Sequence, residues 1–254
     1  MQSQCKGKLY VVGIGPGSAD LLTLKALKIL EISDYVLGHK TYLDRIRHLV
    51  RGEIIESGMG REVERVKLAV KLAEKNIVSL VSGGDPSTYG MASLVAEYVY
   101  ANGLDIDFEV VPGVTALSAS SPLLGSAVSG DHVVISLSDL LTPWEVIEKR
   151  LTHALHGDFV IVIYNPSSRR RKKNLVKAME IVKKIRGNVA VGVVRNATRD
   201  NEGVFISKPD EIIENPEIVD MHTILFVANS ETKLLAGKMV TPRGYARKYS
   251  LEVE

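Results

Sequence analysis

The chain has 254 residues, long enough for two domains of ordinary size and a sizeable core. With 45% hydrophobic and 24% charged residues it is neither disordered, collagen-like nor fibrous. Its 32 Lys and Arg against 30 Asp and Glu leave a net charge of +2, so no global field draws it to nucleic acid or an anionic membrane. An anionic partner must be met by a local cluster. The one cysteine, Cys5, can close no intrachain disulfide and build no structural zinc site by itself, which suits a reducing compartment, the cytoplasm. No run approaches the roughly 20 apolar residues of a membrane span and the opening residues carry no apolar leader, so neither anchoring nor secretion is expected.

In chain order, short β-rich runs alternate with segments of helical period, the pattern of parallel α/β architecture. Residues 8–14 (KLYVVGI) read as a buried strand, and Leu21, Leu24, Leu27 and Leu30 give the apolar stripe of a helix that Asp20 could cap. Strands are expected at 35–37, 54–55, 77–81 and 108–111, with helices over 62–74 and 91–100. A Ser, Gly, Pro and Ala-rich connector over 112–131, part helix and part loop, marks a domain boundary near Gly125, giving lobes over 1–125 and 126–254. Beyond it, strands are expected at 133–137, 159–164, 189–194 and 223–227, with helices over 144–155 and 174–185.

Three loops rich in small residues follow strands of the first lobe. In the first, Gly13-Ile14-Gly15-Pro16-Gly17-Ser18, a dinucleotide fingerprint fails: Ser18 stands where the third glycine belongs, and the next strand ends in Gly38-His39 rather than an acid. No Gly-Lys-Ser/Thr follows, which excludes a P-loop. Alone, this turn is equally a sharp βα loop without a ligand. The second, Ser82-Gly83-Gly84-Asp85-Pro86-Ser87-Thr88-Tyr89-Gly90, permits close backbone approach and offers the Asp85 carboxylate, although Asp-Pro is also a routine turn initiator. The third is Val111-Pro112-Gly113-Val114-Thr115-Ala116. Ligands of open α/β sheets gather at this strand-end edge, and three such loops there point to one binding site.

GIGPGSADLLTLKAL, SGGDPSTYG and VPGVTA resemble the tetrapyrrole methylases that use S-adenosylmethionine. ISLSDLLTPWEVIEKR, YNP, VRNA and MVTPRGY resemble, within them, the branch that methylates carbon 17 of a corrin precursor and contracts the macrocycle; the likeness runs from about Gly7 to Tyr245. The resemblance implies two α/β lobes with the methyl donor in the cleft between them, a homodimer, a tetrapyrrole substrate and a place in cobalamin biosynthesis. It carries donor contacts onto Pro16, Gly83, Gly84, Asp85, Thr88, Thr115, Ala116, Asn165 and Ala197, many of them through backbone groups.

Ser136, Ser138 and Asp139, in the most discriminating stretch, are the candidate substrate contacts, with His132 nearby; no catalytic role is divided among them. Methyl transfer from a sulfonium needs in-line approach and exclusion of water more than a charged side chain. Arg169, in the run RRRKK ahead of a helix, and Arg243, with Arg247, could meet substrate carboxylates as guanidinium forks; otherwise the run is a solvated helix start. The six histidines show no metal-ligand spacing, and His153 with His156 read as the surface of a helix end, so no metal site is expected. Trp144 is expected to anchor a helix. The rivals are methylation of another ring carbon, or an RNA or protein methyltransferase of the same superfamily; an RNA target calls for a basic face that the net charge does not favour.

Overall fold

The computed structural model describes residues 7–168 and 172–251; Cys5 and Arg169, Arg170 and Arg171 lie outside them. The chain forms two compact units, Met1–Ala116 and Leu117–Glu254. The division falls one helix before Gly125, because the connector's helical part packs with the strands and helices on its C-terminal side.

The first unit contains β1 (Lys8–Gly13), α1 (Leu24–Ile32), β2 (Tyr35–His39), α2 (Lys40–Ile46), β3 (Glu53–Ser57), α3 (Glu62–Ala73), β4 (Ile77–Ser82), α4 (Ala92–Ala101) and β5 (Phe108–Val111). Its sheet is wholly parallel, in the order β3-β2-β4-β1-β5. Every strand therefore ends at the same edge. Leu9, Val11, Leu37 and Leu80 pack with the α3 and α4 stripes on one face, while Val12, Val36 and Val81 pack with α1 and α2 on the other. Asp20 does not cap α1. It lies in a 3-10 turn, Ala19–Leu21, that Ser18 caps, and the α1 cap is Thr23, whose hydroxyl accepts from Ala26 N at 3.1 Å.

The second unit contains α5 (Ala116–Leu124), β6 (Gly125–Ser126), β7 (His132–Ser136), α6 (Trp144–His156), β8 (Val160–Tyr164), α7 (Lys172–Arg186), β9 (Val191–Arg195), β10 (Gly203–Ser207), α8 (Pro209–Glu214), β11 (Thr223–Val227), β12 (Lys233–Leu235) and β13 (Lys238–Val240). Here the expected parallel pattern gives way to a mixed sheet, β10-β9-β11-β8-β7, in which β7 and β8 alone pair in parallel. The reason is local. Asn196, Thr198 and Asn201 take positive φ angles of 52°, 63° and 58° and turn β9 straight back into β10 as a hairpin. Trp144 packs against the core between sheet and helices, with Lys177 Nζ 5.2 Å from its ring centroid.

Arg186 closes α7 onto its neighbours. Its guanidinium donates to Ala228 O (2.8 Å), Leu155 O (2.8 Å) and Ala154 O (3.3 Å), satisfying carbonyls at the C-terminal end of α6 and beyond β11. The side chain is 8% exposed and Asp158 lies 4.0 Å away. Arg186→Met leaves Ala228 O without its donor, while Leu155 O and Ala154 O keep Asp158 N at 3.2 Å and Phe159 N at 3.4 Å, and it is expected to destabilise this unit by about 1–3 kcal/mol. Trp144, the chain's one tryptophan, reports on this unit, and an unchanged urea midpoint by its fluorescence would show that water replaces the guanidinium freely.

Candidate functional site

At the strand-end edge of the first unit the three small-residue loops touch through their backbones. Gly15 N donates to Gly84 O at 3.2 Å and Gly84 N to Gly15 O at 2.8 Å, an isolated antiparallel bridge joining the first loop to the second. A Cβ on Gly113 would fall 2.2 Å from Gly84 O, and one on Gly13 would fall 2.7 Å from Gly113 N, so no side chain fits between the first, second and third loops. Gly84 differs: the nearest atom to a Cβ there is 3.9 Å away, and its φ of +66° is what requires glycine.

Asp85 fastens the arrangement. One carboxylate oxygen accepts from Ser87 N (2.7 Å), stabilising its own loop, and the other accepts from Gly113 N (2.9 Å) across to the third loop. The carboxylate expected to face a ligand thus spends one lone pair of each oxygen on protein backbone. Pro16 is buried beside the bridge, whereas Gly83, Gly84, Thr88, Thr115 and Ala116 are partly open. Thr115 Cα lies 3.9 Å from the Gly84 Cβ position, which brings predicted residues of the second and third loops to one spot.

In the second unit the adjacent ends of β7 and β8 bring Ser136, Ser138 and Asn165 together. Asn165 Nδ2 donates to Ser136 Oγ at 3.0 Å, and the same hydroxyl accepts from Ser138 N at 3.2 Å. Asn165 holds φ at 49°, a conformation that Asn tolerates better than most residues. Asn174, buried at the start of α7, donates to Leu137 O at 3.1 Å and pins the loop from behind. Tyr164 Oη accepts from Leu117 N at 2.9 Å. Asp139 is exposed, as are Leu140 and Leu141 beyond it. Ala197 is buried in the β9–β10 turn.

His132 is exposed with Nδ1 3.0 Å from Gly130 O, Arg243 is exposed beyond β13, and Arg247 pairs with Glu231 at 2.7 Å. Arg169 lies outside the described residues. A groove of about 770 Å³ on the second unit, lined by Leu123, Phe205 and Leu234 among others, contains none of the candidates. What the sequence reading misses is a cluster around Tyr42 at the ends of β2 and β3, where Arg65 is buried in the apolar stripe of α3 beside Val66, Ala69 and Ala73. A charged residue at a stripe position is the signal that could have found it.

The sequence model of the Tetrapyrrole (Corrin/Porphyrin) Methylases matches residues 8–213. A cobalamin biosynthesis protein, CbiHC, of Archaeoglobus fulgidus is 57% identical over 97% of this chain, which spans 54% of that protein's length. A probable cobalt-factor III C(17)-methyltransferase of Methanocaldococcus jannaschii is 46% identical over 96% of this chain and 100% of its own. Among solved structures, the methyltransferase CobJ is similar with a TM-score of 0.86 at 30% identity, over 93% of this chain and 100% of that one.

The bonds at Asp85 give a local prediction. Asp85→Ala removes the acceptor of Gly113 N and is expected to speed hydrogen exchange of that amide by roughly tenfold or more. Exchange at the wild-type rate would show that the third loop holds its place without the carboxylate.

Proposed function

The chain belongs to the tetrapyrrole methylases and is a methyltransferase, and from that premise we propose that it methylates carbon 17 of a corrin precursor with S-adenosylmethionine as donor, contracting the macrocycle on the way to cobalamin. The observation that carries this reading is likeness at full length, 46% identity across the whole of a relative named for cobalt-factor III C(17)-methylation. The substrate-side stretch 135–150 lies inside that span.

The residues fit a donor held mainly by backbone. The partly exposed Gly83, Gly84, Thr88, Thr115 and Ala116 offer peptide groups and small side chains to a ligand, and at Gly84 a Cβ would meet only Thr115 Cα and Val114 O, at 3.9 Å. The donor, when bound, supplies an already activated methyl group on sulfur. The protein's part is then to orient and to exclude water. The bridge between Gly15 and Gly84 and the Asp85 clamp tie the first, second and third loops together without using any ligand atom. Ser136 and Ser138, with Asn165 holding the Ser136 hydroxyl, are our candidates for steering the substrate, alongside Asp139. Neutral hydroxyls and an amide at this place suit hydrogen bonding to ring substituents. The family likeness supports a homodimer, and the same reading sets the reaction in the cytoplasm. Among the described residues no helix is long and apolar enough to cross a membrane.

The test is an anaerobic assay with cobalt-factor III and methyl-labelled donor, read by mass and by the label's position in the product. The expected product carries one added methyl at carbon 17 on a contracted ring. A methyl on another carbon, or an uncontracted product, would overturn the assignment. Asn165→Ala, which releases the Ser136 hydroxyl at a position the resemblance gives to the donor, is expected to lower kcat/KM about tenfold.

A further inference from the structure

The cluster around Tyr42 carries a feature that neither the three loops nor the serines of the second unit explain. Two guanidiniums, Arg45 and Arg65, are drawn in beside this ring, and among the described residues neither has a carboxylate within ion-pair distance. Arg45 lies 5.6 Å from the Tyr42 ring centroid, is partly covered, and leaves its buried Nη1 with no hydrogen-bond partner. Arg65 is 5% exposed; its Nε donates to Ser57 Oγ and its Nη2 to Gly58 O at 2.9 Å, both neutral acceptors. Burial holds both groups below the usual guanidinium range, with Tyr42 opposing it at each, as does Glu62 at Arg65. A desolvated cation without a counter-charge is costly, and folding alone gives no reason to keep two of them together.

Their position is informative. His39 and Ser57 are register partners at the ends of β2 and β3, and β2 is the direct neighbour of β4, whose end opens the Gly83-Gly84-Asp85 loop. Tyr42 bridges the two places: a Cβ on Gly83 would fall 2.8 Å from its Cε1. The cluster therefore shares an edge and a contact with the proposed donor loop.

We propose that Arg45 and Arg65, flanking Tyr42, form a binding site for a carboxylate of the ligand, supplied by an acetate or propionate at the rim of the tetrapyrrole. The site draws the missing counter-charge from the substrate, and it sorts carboxylated macrocycles from uncharged ones. The donor's amino-acid carboxylate is the other source of this chemistry. The macrocycle is favoured because its several carboxylates can reach outward from the donor loop toward β3, two strand spacings or about 10 Å away. The proposal rests on the tetrapyrrole reading of the substrate.

Binding separates the outcomes without requiring turnover. Uroporphyrin III, a macrocycle carrying acetates and propionates, its methyl ester, and S-adenosylhomocysteine are titrated into the wild type, Arg45→Met, Arg45→Lys and Arg65→Met. The free acid is expected to bind the wild type better than the ester does. Arg45→Met should weaken the acid roughly tenfold or more, leaving the ester and S-adenosylhomocysteine unchanged, and Arg45→Lys should restore part of the loss. Arg65→Met should act alike; because Arg65 is buried, only protein melting near the wild-type temperature counts, and Arg45 carries the test alone if that variant melts lower. Acid binding unchanged in Arg45→Met, no preference for acid over ester, or a loss confined to S-adenosylhomocysteine would each overturn the proposal. If acid binding depends on Arg45 while cobalt-factor III is not methylated, the carbon-17 assignment fails and the carboxylate site stands.

Discussion

The first unit is organised around a place where backbone meets backbone. Gly13, Gly84 and Gly113 come from the ends of three strands, and the gap between Gly113 and Gly84 O would be closed by a single methyl group. A parallel sheet makes such a meeting possible by bringing all its strand ends to one edge. Loops that close on one another would bury unsatisfied peptide groups, and here those groups bond each other across the Gly15–Gly84 bridge or bond Asp85. The nearness of Thr115 and Val114 to Gly84 follows from this contact. Within the second loop Asp85 fastens by side chain, while Gly84 meets its neighbours through backbone alone.

The second unit reaches a comparable result by other means. Its sheet is mixed, and its candidate residues are held by side-chain hydrogen bonds rather than by glycine contacts. Ser136, Ser138 and Asn165 sit on neighbouring strand ends, Asn165 accepts a left-handed backbone to do so, and Asn174 braces the loop through Leu137 O. Each of these is a single polar contact that a substitution can remove without creating a clash, so this group can be altered while the backbone contacts of the three loops stay intact.

Much of the fold is legible in the sequence because period and punctuation agree. β5 lies at its expected bounds, and β1, β4, α3, α4 and α6 fall within a residue or so of theirs, each a clear run bounded by Gly, Pro or a polar cluster. Short elements fixed by tertiary contact are not legible. α2 has seven residues and an unusual His39 cap, and β10, α8 and the β12–β13 pair lack a strong pattern of their own. The antiparallel turn of the second sheet depends on positive φ at Asn196, Thr198 and Asn201, which composition does not announce. At the site, motif position brings out Gly84 and Asp85 but not what each does. The sequence suggests that Asp85 reaches for a ligand, while its bonds run to Ser87 and Gly113. Arg65 is hinted at by a charge in the apolar stripe of α3, but Arg45 carries no such signal, and that neither guanidinium has a carboxylate beside it only coordinates reveal.

The way the second unit is sealed bears on how it is made. β6, at its beginning, pairs with β13, near its end, and Thr241 extends the seam by donating to Ser126 O and Ala127 O at 2.9 and 2.8 Å. A strand of two residues cannot hold itself in place, so Gly125 and Ser126 wait for a partner more than a hundred positions downstream. During synthesis the first unit has all its contacts available once Ala116 has emerged, whereas the second stays unlatched until Thr241 has left the ribosome. The interval between these two moments is when the second unit's apolar strands are most exposed to pairing with a neighbouring chain, and when a chaperone has most to protect.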